Sequence, residues 1–227
     1  NISYVEELPG TISTFALSYI IPGWERESAD DYKYTSNESI KDIDFRSELD
    51  LKTANGTATY WAYKLANKEA KEISSKVYVI IVFDGYESGL KVQDEILSID
   101  GNKYNTVEEY RQYLQTKNEN DTVTIKILRN KKEKTIKSKL YKYEDDNSII
   151  LGIGLQTVKE YKTTPKLKIK FNRSESGPSG GLISTLEIYN QLTKKDLTKG
   201  YKIAGTGTIE EDGTIGEIGG VEHKILG

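Results

Sequence analysis

Apolar residues recur at regular intervals in three parts of the chain and predict the secondary structure there. One set has helical spacing, which predicts an amphipathic helix with one buried face: Ala58, Trp61, Ala62, Leu65 and Ala66. The β-branched run at residues 77–83 predicts a buried strand, and the alternation of Val123, Ile125 and Ile127 predicts a half-buried one. Residues 1–56 lack such a pattern and are expected to form a few strands with long loops.

Residues 76–142 are expected to fold as one compact, β-rich module. A second strand is predicted at residues 95–100. Thr106, with Glu109 three residues later, forms a capping box that starts a helix. A polar turn at Asn130 joins the two strands that end the module.

The chain after this module alternates between predicted strands, turns and helices. A half-exposed strand is expected at residues 166–171, and a Gly- and Ser-rich turn at residues 174–181 leads into a helix. Further strands are predicted at residues 200–209 and 214–220, before a last helix that begins at Val221.

The composition of the 227-residue chain excludes several classes of site. It has no Cys, which rules out disulfides, zinc thiolates and cysteine nucleophiles. A single His, His223, rules out a His-rich metal site. The net charge of −3 does not favour nucleic acid or an anionic membrane as a partner. No phosphate-binding G-x-x-x-x-G-K-[ST] loop occurs, so we expect no ATP hydrolysis, no cofactor and no metal.

Ser179 lies in a Gly- and Pro-containing turn directly before a predicted helix. The first N–H groups of a helix have no partner within it, and the helix dipole makes this end positive. These donors suit a nucleophilic serine because they stabilise a developing oxyanion. Gly180 and Gly181 would let a substrate backbone approach. On its own, however, a serine at this position is more often an ordinary helix cap.

Residues 88–101 read Ser-Gly-Leu-Lys-Val-Gln-Asp-Glu-Ile-Leu-Ser-Ile-Asp-Gly. They resemble the G-L-x-x-G-D-x-I-x-x-(I/V)-(D/N)-G signature of bacterial PDZ domains. Gln93 stands where that family usually has Gly, and the rest of the pattern is intact. The resemblance covers residues 76–142 and implies a peptide-binding module.

Three blocks in the second half of the chain resemble the signature blocks of Lon-type proteases in both order and spacing. Residues 177–182 match G-P-S-A-G, residues 205–209 match T-G, and residues 218–224 match I-G-G-x-x-x-K. The resemblance implies a serine peptidase in which Ser179 is the nucleophile and Lys224 is its base.

The same resemblance implies supporting roles around this pair. Thr206 matches a threonine that would hold the Lys224 ammonium, and Gly180 stands in place of the usual Ala. Burial would have to lower the pKa of Lys224 from its reference value of about 10.4, since only a neutral lysine can act as a base. Neighbouring helical residues point about 100° apart, so only one of His223 and Lys224 can face Ser179, and the resemblance selects Lys224.

A PDZ module ahead of the serine block is similar to the Lon-like, PDZ-containing, membrane-anchored proteins of Gram-positive bacteria. This implies an α/β (α+β) fold in which a Lon-type proteolytic domain, C-terminally incomplete here, carries an inserted PDZ-like module. Residues 1–75 and 151–227 would form the protease domain around a PDZ-like domain at residues 76–150. The resemblance also implies an extracytoplasmic location, an anchor to the cell membrane that this chain lacks, and a homo-oligomer.

Leu151, Gly152, Ile153 and Gly154 leave two interpretations open. Their backbone N–H groups would take the C-terminal carboxylate of a peptide that adds a strand to the PDZ module. The alternative, which we favour from sequence alone, is a plain connector into the protease domain. Two functions follow as well: an ATP-independent serine endopeptidase that recognises polypeptides through its PDZ module, and a non-catalytic, peptide-binding adaptor.

Overall fold

The computed structural model describes residue 8 and residues 10–167, 178–193 and 196–219. The described part is a mixed α/β fold, and none of its helices is long and apolar enough to cross a membrane. Its helices are α1 (Ile12–Leu17), α2 (Ile40–Leu65), α3 (Val107–Leu114) and α4 (Gly181–Leu192), with 3-10 turns at Ala29–Tyr32 and Pro178–Gly180. Its strands are β1 (Glu69–Val82), β2 (Glu95–Ile99), β3 (Thr122–Arg129), β4 (Lys132–Lys139), β5 (Tyr141–Lys142), β6 (Ile149–Ile150) and β7 (Ile153–Thr164).

Five strands form one antiparallel sheet in the order β4-β3-β2-β1-β7. The longest pairing joins β1 to β7, from Glu69 opposite Thr164 to Val82 opposite Ile153. The short strands β5 and β6 form a separate antiparallel ribbon directly before β7. β7 is therefore the outermost strand on one side of the sheet.

A buried apolar core joins the sheet to α3, and it confirms the predicted β-rich module. α3 begins at the predicted capping box, where the Thr106 hydroxyl accepts from the Glu109 N–H (3.2 Å) and the Glu109 carboxylate accepts from the Thr106 N–H (3.1 Å). The strands predicted around residues 77–83, 95–100 and Ile125 are present as β1, β2 and β3. The core includes Val77, Val79, Leu90, Ile96, Ile99, Tyr110, Leu114, Val123, Ile125, Ile127, Leu140 and Leu151.

The long helix α2 occupies part of the chain in which the apolar pattern predicts strands and loops. It begins at Ile40, so the expectation of strands and long loops throughout residues 1–56 is wrong. The first half of α2 buries a charged side chain, because the Arg46 guanidinium forms an ion pair with the buried Glu38 carboxylate. The helix starts at a capping box of Ser39 with Asp42, a signal that the apolar pattern does not report. The helix predicted at residues 58–66 is the end of α2.

β7 extends the sheet beyond the predicted end of the PDZ-like module at residue 150, since residues 153–164 pair with β1. α2 packs against the same strand. The Gln156 Nε2 donates to Asp50 Oδ1 (3.0 Å) and to Thr53 Oγ1 (3.2 Å). Parts of the chain on both sides of the predicted module thus share one scaffold.

α4 follows the Gly- and Ser-rich turn, as predicted, and lies against α2. Ile188 of α4 is fully buried and packs with Ala62 and Tyr63 of α2. This second apolar cluster is small and separate from the core beneath the sheet.

The strands predicted after α4 are wrong as far as the structure describes this segment. Residues 200–209 and 214–219 belong to no strand, and a hydrogen-bonded turn joins Glu210 to Thr214. Gly205 takes part in an isolated β-bridge and Ile209 lies against Gly181 of α4, while Tyr201, Ile203 and Ile215 are exposed. The segment therefore has neither the ladder nor the buried face of a strand. Most of the strand predicted at residues 166–171, and the helix predicted from Val221, lie outside the described residues.

Candidate functional site

Ser179 is half-buried in the 3-10 turn that leads into α4. Its backbone carbonyl accepts two hydrogen bonds, from the Gly207 N–H (2.6 Å) and from the Thr206 hydroxyl (3.0 Å). No described residue hydrogen-bonds the Ser179 hydroxyl. The turn therefore fixes the backbone of this serine and leaves its side-chain oxygen available.

The N-terminus of α4 carries no side-chain cap. Gly180 is the capping residue and offers no oxygen to the first turn, while the Leu182 N–H donates to the Gly207 carbonyl (2.9 Å). The positive end of a 12-residue helix thus lies directly beside Ser179. This end of a helix favours a negative charge on a nearby atom.

Gly181 has a different role from the one expected of it. A Cβ at this position would lie 2.9 Å from Ile209 Cγ2 and 3.2 Å from the Ile209 N. The missing side chain makes room for Ile209, not for a substrate, so the expectation that Gly181 admits a substrate backbone is wrong.

The structure brings Ser179, Gly180 and Thr206 together, as the sequence predicts. Lys224 and His223 lie outside the described residues. Gly207 is a contact that sequence reasoning missed, although it follows Thr206 in the same signature block. The Thr206 hydroxyl donates a hydrogen bond to the Ser179 carbonyl, and its oxygen has lone pairs that can accept a further hydrogen bond.

The segment before β7 is a second candidate site. Leu151 is buried, and Gly152 has a φ of +69° and would clash with Tyr86 if it carried a side chain. Neither Leu151 nor Gly152 has a partner for its N–H among the described residues. Buried N–H groups are nearly always paired, so this loop has two donors to offer a ligand. Ile153 and Gly154 belong to β7 and pair with β1.

α3 meets β7 close to this loop. The Val107 N–H at the start of α3 donates to the Thr157 hydroxyl (2.9 Å), and the Gln115 amide exchanges two hydrogen bonds with the Ile149 backbone (2.9 and 3.0 Å). An outermost strand, a helix and a loop with free N–H groups therefore lie together. This is the arrangement in which an extended peptide adds a strand and its carboxylate binds the loop.

The motif at residues 88–101 is held by a buried charge pair. The Asp94 carboxylate is fully buried and accepts from Arg129 Nε (2.7 Å) and Nη2 (2.6 Å). Gln93 has a φ of +78°, a left-handed conformation that is strained for any residue except Gly. Gln93 therefore replaces the Gly of the signature but keeps the left-handed conformation of the turn.

A polar cavity of about 600 Å³ lies between the start of α2 and the end of β1, away from Ser179. The Ser36 N–H and hydroxyl and the Asn37 amide donate to the Asp84 carboxylate, and these hydrogen bonds hold its pKa below the usual value. They tie the loop before α2 to the end of β1.

The family described as the PDZ domain matches residues 63–140, which include β1 to β4 and α3. The chain contains a PDZ domain. The predicted module is thus confirmed, and a PDZ domain suggests that its partner is a peptide.

Several known proteins resemble parts of the chain. Over 91 residues, which are 40% of this chain and 27% of the other protein, it is 33% identical to a Fusobacterium nucleatum subsp. nucleatum protein named "Putative zinc metalloprotease". The PDZ domain of the SdrC-like protein from Listeria monocytogenes is 31% identical, with a TM-score of 0.34 over 35% of this chain and 85% of that one. The corresponding Listeria innocua domain is 28% identical, with a TM-score of 0.34 over 35% of this chain and 92% of that one.

The residues of this chain do not fit a zinc site. Zinc in proteases is bound chiefly by His together with Asp or Glu, and the chain has one His and no Cys. The described residues hold no group of three or more His, Cys, Asp or Glu side chains that could bind a metal ion. The name of the Fusobacterium protein therefore does not support a zinc site among these residues.

Proposed function

We propose that the protein is an ATP-independent serine endopeptidase that selects polypeptides through its PDZ domain. Ser179 is the nucleophile and Lys224 is the base in this proposal. The observation that carries it is the fixed Ser179 backbone: its carbonyl accepts from Gly207 and Thr206, while no described residue hydrogen-bonds its hydroxyl.

The proposed chemistry uses groups of this chain alone. Neutral Lys224 takes the proton of the Ser179 hydroxyl, and the oxygen attacks a peptide carbonyl to give an oxyanion. N–H groups at the N-terminus of α4 other than that of Leu182, which donates to Gly207, would stabilise that charge. The amine leaves with a proton from Lys224, and water then hydrolyses the acyl-enzyme.

Thr206 would serve both members of the pair. Its hydroxyl donates a hydrogen bond to the Ser179 carbonyl. The lone pairs on the same oxygen would accept a hydrogen bond from the Lys224 ammonium as that charge forms. The Fusobacterium relative is named as a protease, which supports peptidase activity in general terms. The serine mechanism itself rests on Ser179 and its neighbours. The proposal keeps the expected extracytoplasmic location, membrane anchor and homo-oligomer.

The PDZ domain would capture the substrate by its C-terminus. The unpaired N–H groups of Leu151 and Gly152 suit a carboxylate, and the outer edge of β7 suits an extended chain. The same two groups are the specific observation in favour of the second candidate, a peptide-binding adaptor without catalytic activity.

Cleavage of an unfolded protein without ATP tests the first proposal. We expect the full protein to cleave it, and Ser179→Ala and Lys224→Ala each to lower kcat/KM by at least about a thousandfold. Ser47→Ala on α2 and Lys202→Ala on the exposed segment after α4 are matched controls and should retain activity.

Each alternative outcome is distinct. Full activity in Ser179→Ala would contradict the assigned nucleophile. A folded protein that cleaves nothing but binds a peptide through a free C-terminal carboxylate, and loses that binding when the peptide is amidated, would establish the adaptor instead.

A further inference from the structure

A short segment connects the candidate serine to the PDZ sheet. We call residues 206–213 the strap. At its first end, Thr206 and Gly207 donate to the Ser179 carbonyl, and Ile209 fills the space beside Gly181. This end of the strap therefore sets the position of the Ser179 backbone.

The second end of the strap is held by α2 and β7. The Trp61 indole N–H donates to the Glu211 carbonyl (3.3 Å), and Gly213 lies against the Trp61 ring so closely that a Cβ would clash at 2.6 Å. The Lys159 ammonium on β7 pairs with the Glu211 carboxylate (3.0 Å). Glu211 is thus bound through both its backbone and its side chain.

Few residues separate the two ends of the strap. The chain advances at most ~3.3–3.6 Å per residue, so the four steps from Gly207 to Glu211 span no more than about 14 Å. Internal hydrogen bonds stiffen it further: the Glu210 N–H donates to Thr214, the Gly213 N–H donates to Glu210, and the Thr208 hydroxyl donates to the Glu210 carboxylate. A shift at Glu211 is therefore expected to displace Gly207 and, through it, the Ser179 backbone.

The Lys159 and Glu211 side chains also line a cavity. Thr157, Lys159, Tyr161 and Glu211 line a polar cavity of about 240 Å³ between α2 and β7. Burial raises the pKa of the Tyr161 hydroxyl to about 12, with contributions from the Glu72 and Glu211 carboxylates. Among the described residues, Lys159 is the one cation lining this cavity, and Glu211 is its partner.

We propose that Trp61, Lys159 and Glu211 form a clamp that positions Ser179 through the strap. The clamp residues are positioning residues, since they act on the serine only through Thr206 and Gly207. This inference rests on the proposed serine peptidase function. It makes β7, the strand that would accept a peptide, part of the scaffold of the serine.

The chain offers a matched control for the charged part of the clamp. Lys52 on α2 and Glu160 on β7 also form an ion pair (2.7 Å), but neither touches the strap. The two pairs are similarly exposed, with side-chain exposures of 46% and 47% for the control and 24% and 58% for Lys159 and Glu211. Exposed ion pairs contribute little to stability, so loss of either pair should shift the melting temperature by no more than about 2 °C.

The experiment measures the reactivity of Ser179 in the full protein. A serine-reactive fluorophosphonate probe gives the labelling rate, and cleavage of an unfolded protein gives kcat and KM. We expect Lys159→Met and Glu211→Gln to lower the labelling rate and kcat by roughly three- to tenfold, with KM within about twofold, because a displaced nucleophile reacts slowly even when substrate binds. Lys159→Arg should retain the pair and the rate, and Lys52→Met and Glu160→Gln should match the wild type.

The outcomes separate the clamp from the function on which it rests. Wild-type labelling rates in Lys159→Met and Glu211→Gln, or equal losses in the Lys52→Met and Glu160→Gln controls, would overturn the clamp while Ser179→Ala still abolishes labelling. A wild-type protein that neither labels nor cleaves would refute the proposed function, and the clamp with it.

Discussion

The sheet region and the serine region of this molecule are held together in different ways. The sheet region, residues 69–164, has a large apolar core of its own between the sheet and α3. Among the described residues of the serine region, 178–193 and 196–219, Ile188 is the single buried large apolar side chain, and it packs on α2. The serine region therefore shares its buried cluster with α2, and close contacts such as that of Ile209 with Gly181 and a few hydrogen bonds hold the rest.

This difference bears on how the candidate chemistry is organised. Core packing fixes elements of a fold cooperatively, whereas a few hydrogen bonds fix a segment only as well as their anchors are fixed. Ser179 depends on Thr206 and Gly207, and these depend on the contacts of Glu211 with Trp61 and Lys159. A site built in this way can be adjusted from a distance without unfolding the sheet.

The largest expected effect lies in the sheet region, despite its apolar core. Arg129→Met would leave the Asp94 carboxylate buried without its charged partner, with the Lys91 N–H still donating to it, and we expect a loss of about 3–5 kcal/mol in the free energy of unfolding, measured by urea denaturation. The double variant Asp94→Asn/Arg129→Met removes the charge as well and should regain much of the loss. A free energy of unfolding within about 1 kcal/mol of wild type in Arg129→Met alone would show that the ion pair does not stabilise this region.

The next effect should separate the two regions. Ile188→Ala empties the small cluster between α4 and α2, which should cost about 2–5 kcal/mol locally. Ala70 of β1 packs against this cluster but no residue of β2 to β4 does, so we expect faster hydrogen exchange in residues 178–193 and unchanged exchange in β2 to β4.

Leu186→Ala is the matched control, since this residue lies on the same helix but is 42% exposed. It should leave the exchange of both regions unchanged. Equal acceleration across the sheet in Ile188→Ala would show instead that the two regions unfold as one unit.

The same contrast explains how much of the fold could be predicted from the sequence. The sheet region follows its local pattern: the capping box at Thr106 and Glu109 starts α3, and the alternating residues around Ile125 lie in β3. The start of α2 at Ile40 carries the same kind of signal, a capping box of Ser39 with Asp42, but the apolar pattern gave no hint of it because the helix buries Arg46 against Glu38. Charged residues usually lie on the surface, so a pattern of apolar residues does not reveal a helix face that buries an ion pair.

The candidate site was predictable only in part, for a related reason. The signature blocks identify Ser179 and Thr206 as candidate residues, but the hydrogen bond between them joins residues 27 positions apart. The contact of Trp61 with Glu211 spans 150 positions, and no local pattern encodes it. Periodicity reports which side of an element is buried, not which distant segment covers it.

The smallest expected effect is at the joint between α2 and β7. Burial raises the pKa of the Asp50 carboxyl above its usual value, although the hydrogen bond from Gln156 and the Arg46 charge act in the opposite direction. A carboxyl with a raised pKa in the folded state favours its protonated form there. Its contribution to stability is therefore present at low pH and is lost as the pH rises through the folded pKa.

Asp50→Asn should remove this pH dependence, since the amide resembles the protonated acid at every pH. The Gln156 side-chain carbonyl is buried and has no described partner, and the new amide can donate to it. We expect the variant to match wild-type stability at low pH and to exceed it slightly at neutral pH, as measured by thermal unfolding across the pH range. A variant that is less stable than wild type at neutral pH would mean that the attraction between Asp50 and Arg46 outweighs the burial of the charge. In that case the charge of Asp50 beside Arg46 stabilises α2 itself, and the hydrogen bond from Gln156 to Asp50 remains the contact that joins α2 to β7.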